Sequence, residues 1–347
     1  MPRKPRIDIT GLLYHIIFRG IERREIFKTD KDREDFVNRL EKSLEWGEAK
    51  CYAWSLMPNH VHLLIKTGGK PLSRLMRKLL TGYAVNFNIR HKRAGHLFQN
   101  RYKSIIVEEE SYLLDLVRYI HLNPLRAKIV KDLKELEGYK WSGYAGIMSE
   151  REKKWQDKDE ILRRFGDSVI KARESYIRFM EDGVKQGKRK DFAGGGLIRS
   201  MGGIESVMMN RRAGFREMGD DRILGPGEFV EGVLKNEEQK DKTIKEIKKL
   251  GENKLKDKIE SYYKITEEEL TGKSQKRKIT QARGVLSYIA IKYAGKNGSQ
   301  LAKILNVSSS GIARMYTRGE KIIESDNKIL EYILDEGWSV NTISNVP

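Results

Sequence analysis

Two runs of β-forming residues, Lys50–Met57 and His60–Lys66, are separated by only Pro58 and Asn59. So short a connection joins neighbouring strands as an antiparallel hairpin. Every element on either side has to pack around that hairpin. Side chains alternate along a strand, so His60 and His62 share one face and Val61 points to the other. Two imidazoles side by side on a rigid strand suit a divalent metal. They equally suit two half-buried histidines with hydrogen-bond partners, and the rest of the chain has to decide between the two.

The flanking sequence extends the hairpin into a fold. Residues 12–18 are rich in β-formers and bounded by Gly11 and Arg19-Gly20, which predicts a strand. Asp30 and Asp32 start a helix whose apolar positions Phe36, Leu40 and Leu44 recur every four residues, ending near Trp46-Gly47. Gly68-Gly69 closes the hairpin, and 72–89 reads as a helix with Leu72, Leu75, Met76, Leu79, Leu80 and Tyr83 on one stripe. Residues 95–107 are strand-like again. The order β-α-β-β-α-β predicts an α+β fold, the ferredoxin-like split βαβ arrangement. Its antiparallel sheet would carry helices on one face, with the His60–Lys66 strand central and its other face open to a ligand. A further helix is expected over 111–122, with Ser111 as N-cap and the acids 108–110 favouring its positive end. Asn123-Pro124 ends or kinks it, and 125–130 resume helically.

Charge says what that sheet faces. The 347 residues carry a net charge of +19 with a sequence pI of about 9.7, which points to a polyanionic partner, above all nucleic acid. From Ala49 through Val107 there is no Asp or Glu, while the same stretch holds Lys50, Lys66, Lys70, Arg74, Arg77, Lys78, Arg90, Lys92, Arg93, Arg101 and Lys103. A solvated face mixes signs, so this basic field belongs with the histidine strand. Its lack of acids argues against a carboxylate-based two-metal nuclease. The single cysteine, Cys51, excludes a disulfide framework and a cysteine-based zinc site, and fits a reducing compartment. Mean hydropathy is −0.62, no apolar run approaches the roughly 18 residues of a spanning helix, and the basic start leads into no apolar signal core. A cytoplasmic, nucleoid-associated protein that does not enter the membrane is expected.

The helix after the basic stretch carries Tyr119 and, four residues on, Asn123, which share a face. A tyrosine hydroxyl can attack a phosphodiester and hold the 5′ phosphate as an ester. A phenol is a weak nucleophile at neutral pH, so a metal is needed to polarise the phosphate. An amide oxygen from Asn123 would supply a third ligand beside His60 and His62. The alternative for Tyr119 is an aromatic on the core face of its helix.

Several motifs now stand in order: Tyr14-His15, Phe18-Arg19-Gly20, the run 57–64, Gly95-His96-Leu97-Phe98-Gln99, Arg101-Tyr102-Lys103-Ser104, Arg118-Tyr119-Ile120, Leu122-Asn123-Pro124 and Arg126-Ala127. In these, residues 1–145 resemble the single-tyrosine HUH transposases, and more narrowly the REP-associated tyrosine transposases of bacteria. The resemblance implies His60 and His62 as metal ligands, Tyr119 as nucleophile and Asn123 completing the site. It implies Mg2+ or Mn2+ as cofactor, and cleavage and rejoining of single-stranded DNA at hairpin (REP-like) sequences through a 5′-phosphotyrosine. Ligand softness alone, with two imidazoles, also admits zinc or nickel. Better-known single-tyrosine relatives carry Gln where Asn123 stands, and His121 stands where the narrower pattern usually has an acid.

Three regions are expected: a catalytic domain over 1–147, a helical and glycine-rich connector over 148–252, and an all-α domain over 253–342. Within the connector, 158–165 and 169–180 read as short helices, 183–227 is glycine-rich with no phosphate-binding fingerprint after a strand, and 235–250 is a charged linker helix. Beyond 253, Leu255, Ile259 and Tyr262 form one stripe, and 278–293 a helix with Ile279, Ala282, Leu286, Ile289, Ala290 and Tyr293 inward. A short helix at 299–306, a tight turn at Asn306-Val307 and a serine-capped helix over 308–318 make a helix-turn-helix pattern. The second helix would expose Ser309, Ser310, Arg314 and Arg318, with Ile312 and Met315 inward; an ordinary three-helix bundle is the alternative. Leu270, Gly272-Lys273-Ser274, Lys276-Arg277 and Gln281-Ala282-Arg283 resemble the basic loop and long helix of the C-terminal DNA-binding domain of the replication initiator DnaA. That resemblance implies phosphate contacts from Lys273, Lys276, Arg277 and Arg283.

The leading expectation is a DNA strand-transfer enzyme, monomeric or homodimeric, with an appended duplex-binding module. DNA contacts on the catalytic domain would come from Arg19, Arg74, Lys78, Arg90, Arg93, Arg101 and Lys103. A catalytically inactive or host-domesticated sequence-specific DNA-binding regulator is the alternative. A metal hydrolase of small substrates comes third, and the basic stretch argues against it. The intact set His60, His62, Tyr119 and Asn123 favours the enzyme.

Overall fold

Strand β1 (Leu13–Arg19) is the one on which the sheet is built. It pairs antiparallel on one side with β3 (His60–Lys66) and on the other with β4 (Lys103–Val107), and β3 pairs antiparallel with β2 (Lys50–Met57). A two-residue strand β5 (Ile223–Leu224) joins β4 in parallel, giving the order β2-β3-β1-β4-β5. The fold is the expected α+β arrangement, and the histidine strand is internal. The computed structural model describes residues 5–149, 153–186, 219–326 and 328–334. The chain divides into two compact units, Met1–Glu231 and Gly232–Pro347.

The first helices follow from local chemistry. α1 (Asp30–Gly47) opens on a capping box: the Thr29 hydroxyl accepts from the Asp32 amide, and the Asp32 carboxylate accepts from the Thr29 amide. The same buried carboxylate takes Arg90 at 2.6 Å and His91 at 3.0 Å, tying the C-terminal end of α2 (Leu72–Arg90) to the start of α1. Both helices lie on the sheet face marked by Phe18, whose ring meets Phe36 at 5.8 Å, while Phe36 meets Tyr83 at 5.3 Å.

The other face is not open, which corrects the expectation of helices on one side only. α3 (Glu109–His121) lays Leu113, Leu116, Val117 and Ile120 on Leu13, Leu64, Ile105 and Val107. Behind it come α4 (Asn123–Arg126), α5 (Leu133–Gly138), α6 (Gly143–Met148), α7 (Lys158–Leu162) and α8 (Val169–Lys185). Ile161, Leu162, Ala172, Tyr176 and Met180 are buried in this same cluster, so the core runs on past residue 147. Ser111 is not the cap of α3: the Glu108 carboxylate accepts from the amides of Glu110 and Ser111 at 3.0 and 2.8 Å. The strand expected over 95–107 is confined to β4. Gly95 and Asn100, at φ +85° and +62°, are left-handed residues that a strand cannot contain.

In the second unit, α9 (Gly227–Tyr263), a helix in which the division between the units falls, is interrupted at Gly251 with φ +74°. It is followed by α10 (Glu267–Thr271), α11 (Arg277–Lys292), α12 (Gly298–Ile304), α13 (Ser309–Ser325) and α14 (Lys328–Leu334). Leu255, Ile259, Ile279, Leu286, Ile289, Leu301 and Ile312 form its core, whereas Tyr262, on one stripe with Leu255 and Ile259 by spacing, is on the surface. α12 and α13 meet through Asn306 at φ +55°, a conformation Asn tolerates, and Ser308 caps α13. α11 and α13 pack backbone to backbone at Gly284 and Gly319, where a Cβ on Gly319 would lie 2.0 Å from the Gly284 carbonyl oxygen. Residues 187–218 of the glycine-rich connector, and 335–342 of the C-terminal region, lie outside the described residues.

Candidate active site

β3 delivers His60 and His62 to the face covered by α3, and α3 brings Tyr119 to them. The His60 and His62 rings stand 5.2 Å apart between centroids, and Tyr119 meets the His62 ring edge-on at 5.8 Å. A third imidazole that the sequence reading left without a role completes the group. His15, on β1, is buried; its Nε2 lies 3.1 Å from His62 Nδ1, and its ring is 6.0 Å from that of Tyr119. The signal for His15 was its strand phase, since the observed register sets it opposite Leu64 and diagonal to His62. Asn59, read only as a turn residue, holds His60: its Oδ1 lies 2.6 Å from His60 Nδ1, while its Nδ2 donates to the Arg23 carbonyl.

The electrostatics keep His60 and His62 neutral. Burial, with Arg19 alongside, pushes His60 down to about 4. Burial pushes His62 well below its ordinary value, and His15, His60 and Arg19 add to the effect. Burial raises the Tyr119 phenol, and the Arg126 guanidinium, 5.6 Å from the ring, opposes the rise. A neutral imidazole has a lone pair to offer a cation.

Asn123 stands one turn after Tyr119, at the start of α4. The helical pattern nearly continues across the break, with Leu122 N–H donating to Arg118 and Ala127 N–H to Asn123. The Asn123 Nδ2 is buried without a hydrogen-bond partner. The two ends of an amide exchange by a half-turn, so this is a position where an oxygen donor could meet a cation. Among the described residues no group of three or more His, Cys, Asp and Glu side chains is placed to hold a metal.

The basic residues fall into separate classes. Arg19, Arg101 and Lys103 line one cleft of about 550 Å³, together with Arg6, Tyr102 and Ile17, the strand partner of His62. Lys78 is exposed and sits over the Trp46 ring at 4.9 Å, and Arg74 is half-buried on α2. Arg90 is held by Asp32 and Asp35, and Arg93 donates to Asn88 Oδ1 and the His96 carbonyl, so both shape the protein itself. In the second unit Arg277, Arg314 and Arg318 line a groove of about 700 Å³ with Gln281, Thr317 and Lys321. Lys273, Lys276, Ser309 and Ser310 are exposed outside that lining. Arg283 departs from expectation. It is buried, and its guanidinium spends four of its five N–H groups on the carbonyls of Leu270, Ser274, Glu269 and Gly272, so it serves the protein rather than a phosphate.

No helix among the described residues is long and apolar enough to cross a membrane. No curated protein matches the chain in sequence. Solved structures are similar to it, among them the following two. One is a REP-associated tyrosine transposase bound to a REP hairpin, at 17% identity and TM-score 0.37, over 49% of this chain and 93% of that one. The other is described as a transposase of Deinococcus radiodurans R1, at 21% identity and TM-score 0.25, over 34% of this chain and 95% of that one. The family model described as "Transposase IS200 like" matches residues 8–123, a span that opens before β1 and closes on Asn123. Over that span, which is about a third of the chain and contains both histidines and the tyrosine, the chain is similar to the IS200-like transposases.

Proposed function

We propose that the first unit cleaves and rejoins single-stranded DNA beside a hairpin through a 5′-phosphotyrosine at Tyr119, and that the second unit grips duplex phosphates. The observation that carries the reading is the meeting of Tyr119 with the His60–His62 pair, edge-on at 5.8 Å. The Tyr119 Oη attacks the scissile phosphorus and loses its proton. The P–O3′ bond breaks, the 3′ oxygen leaves as a hydroxyl after taking up a proton, and Tyr119 keeps the 5′ phosphate. Attack by a 3′-OH on the phosphotyrosine reverses these changes and rejoins the strand.

Burial holds the Tyr119 phenol protonated at rest, so positive charge is needed as the phenolate forms. Arg126 lies against the ring and supplies part of it. His60, His62 and Asn123 would hold Mg2+ or Mn2+, which polarises the scissile phosphate when bound. The cleft of Arg19, Arg101 and Lys103 borders the strand residue paired with His62, so it suits the backbone of a strand entering the site. In the second unit the groove sits at the start of α11, where Lys276 makes no side-chain cap bond, so the first amides of the helix add to Arg277, Arg314 and Arg318.

The test is incubation of the full chain and Mg2+ or Mn2+ with hairpin oligonucleotides from its own locus. A metal-dependent covalent adduct with wild type, and none with Tyr119→Phe, is expected. Absence of any adduct, or an adduct in the Tyr119→Phe variant, overturns the assignment. For the groove, Arg318→Ala should lower the salt slope of duplex binding by about 1. An unchanged slope removes Arg318 from the contact.

A further inference from the structure

We propose that His15 is a positioning residue of the metal site: its Nε2 accepts the Nδ1–H of His62 and so leaves the Nε2 lone pair of His62 for the cation. The inference rests on the metal reading above and deepens it.

A neutral imidazole carries one N–H and one lone pair. Asn59 Oδ1 only accepts, so at 2.6 Å it puts the His60 proton on Nδ1 and the lone pair on Nε2. His62 is held through the same atom, Nδ1, by His15 Nε2 at 3.1 Å. If His15 accepts there, both histidines of β3 present Nε2 and both are fixed through Nδ1, the arrangement that orients imidazole ligands in metal sites. His15 is 2% exposed and fills the corner between His62 and Tyr119, its ring stacked on His62 at 5.4 Å and an interplanar angle of 22°. An apolar side chain would fill that corner equally well, so the use of an imidazole points to the nitrogen that faces His62. If the bond ran the other way, the His62 proton would sit on Nε2 and block coordination.

The experiment is Mn2+ titration of the full chain, read by loss of the free-ion electron paramagnetic resonance signal. It compares wild type, His62→Ala, His15→Leu and His15→Gln. Wild type should bind and His62→Ala should not. His15→Leu should weaken binding by about 10- to 100-fold. His15→Gln, whose amide oxygen can stand where Nε2 stood, should recover most of it. If wild type itself fails to bind, the metal reading falls and this inference with it. If wild type binds, His62→Ala does not, and His15→Leu matches wild type, only the role of His15 is overturned. Equal losses in His15→Leu and His15→Gln would likewise reduce His15 to a packing residue. Nitrogen NMR of 15N-histidine-labelled wild type decides the point without any substitution at His15. His62 should be protonated on Nδ1, and protonation on Nε2 refutes the proposal.

Discussion

Replacing Arg283 by Met should loosen the second unit and leave unchanged the duplex binding proposed for it. The guanidinium is 4% exposed and donates from Nε to Leu270 at 2.6 Å, from Nη1 to Ser274 at 2.7 Å, and from Nη2 to Glu269 at 2.8 Å and to Gly272. Leu270 and Glu269 lie in the last turn of α10, whose carbonyls lack partners within the helix. Hydrogen bonds to charged groups are each worth about 1.5–3 kcal/mol, so four would sum to roughly 6–12 kcal/mol. That sum is too large, because the carbonyls of Gly272, Ser274 and Glu269 can regain water, and only Leu270 is buried. A net loss of about 3 kcal/mol is the better figure, out of the 5–15 kcal/mol that typically stabilises a domain.

Hydrogen exchange read by mass spectrometry on the full chain is the direct assay. A 3 kcal/mol loss lowers protection in peptides from α10 and α11 by about two orders of magnitude. Arg283→Lys should rescue little, since one ammonium cannot span four carbonyls. The reasoning is refuted if Arg283→Met leaves that protection unchanged while reducing the salt slope of duplex binding by about 1, the signature of a phosphate contact.

Two further outcomes follow from buried groups in the first unit. Burial alone would raise the Asp32 carboxyl, but hydrogen bonds from His91, Arg90 and the amides of Thr29 and Lys28 outweigh it and hold the group at about 2, against 3.8 unperturbed. Because the folded value is the lower one, Asp32 contributes about 2 kcal/mol at pH values above about 4, lost as pH falls towards 2; urea midpoints across that window should show it, and Asp32→Asn should flatten the profile. Tyr176→Phe removes the partner of the buried His121 Nδ1, 2.6 Å away, and should cost about 1–3 kcal/mol in urea unfolding; an unchanged midpoint would mean that this contact is not stabilising.

What the sequence made legible is what local periodicity and short spacing encode. The hairpin, the common face of His60 and His62, and the amphipathic stripes of α2 and α11 follow from residues a few positions apart. Three kinds of feature escaped. Ser111 and Glu108 are both credible caps, and only the backbone decides between them. β5 has two residues and no pattern to find, because it forms by addition to an existing edge. Arg283 and Arg318 look alike in sequence; one is buried by carbonyls 9 to 14 residues upstream, in α10 and the loop after it, and the other is exposed. Basic residues announce a polyanion collectively, but which of them face it depends on tertiary packing.

The departure at His121 has its explanation in that packing. α3 is clamped on the sheet by Leu113, Leu116, Val117 and Ile120, and from behind by α8. Arg118 bonds Asp115 at 2.7 Å and lies over the Phe179 ring at 4.1 Å, and His121 shares its hydrogen bond with Tyr176. His121 is fully buried, and burial pushes it down to about 3, so it is neutral here. An acid at 121 would have to ionise in that apolar pocket or hold a proton against its ordinary pKa, and either is costly. A neutral imidazole avoids both and still meets the Tyr176 hydroxyl. Gly143 leaves it the room, since a Cβ there would lie 2.7 Å from His121 Nε2. The neutral residue at 121 therefore belongs with α8, which covers the back of the helix that carries Tyr119. The position of Tyr119 against His62 is thus set in part by residues well beyond the span that the family match covers.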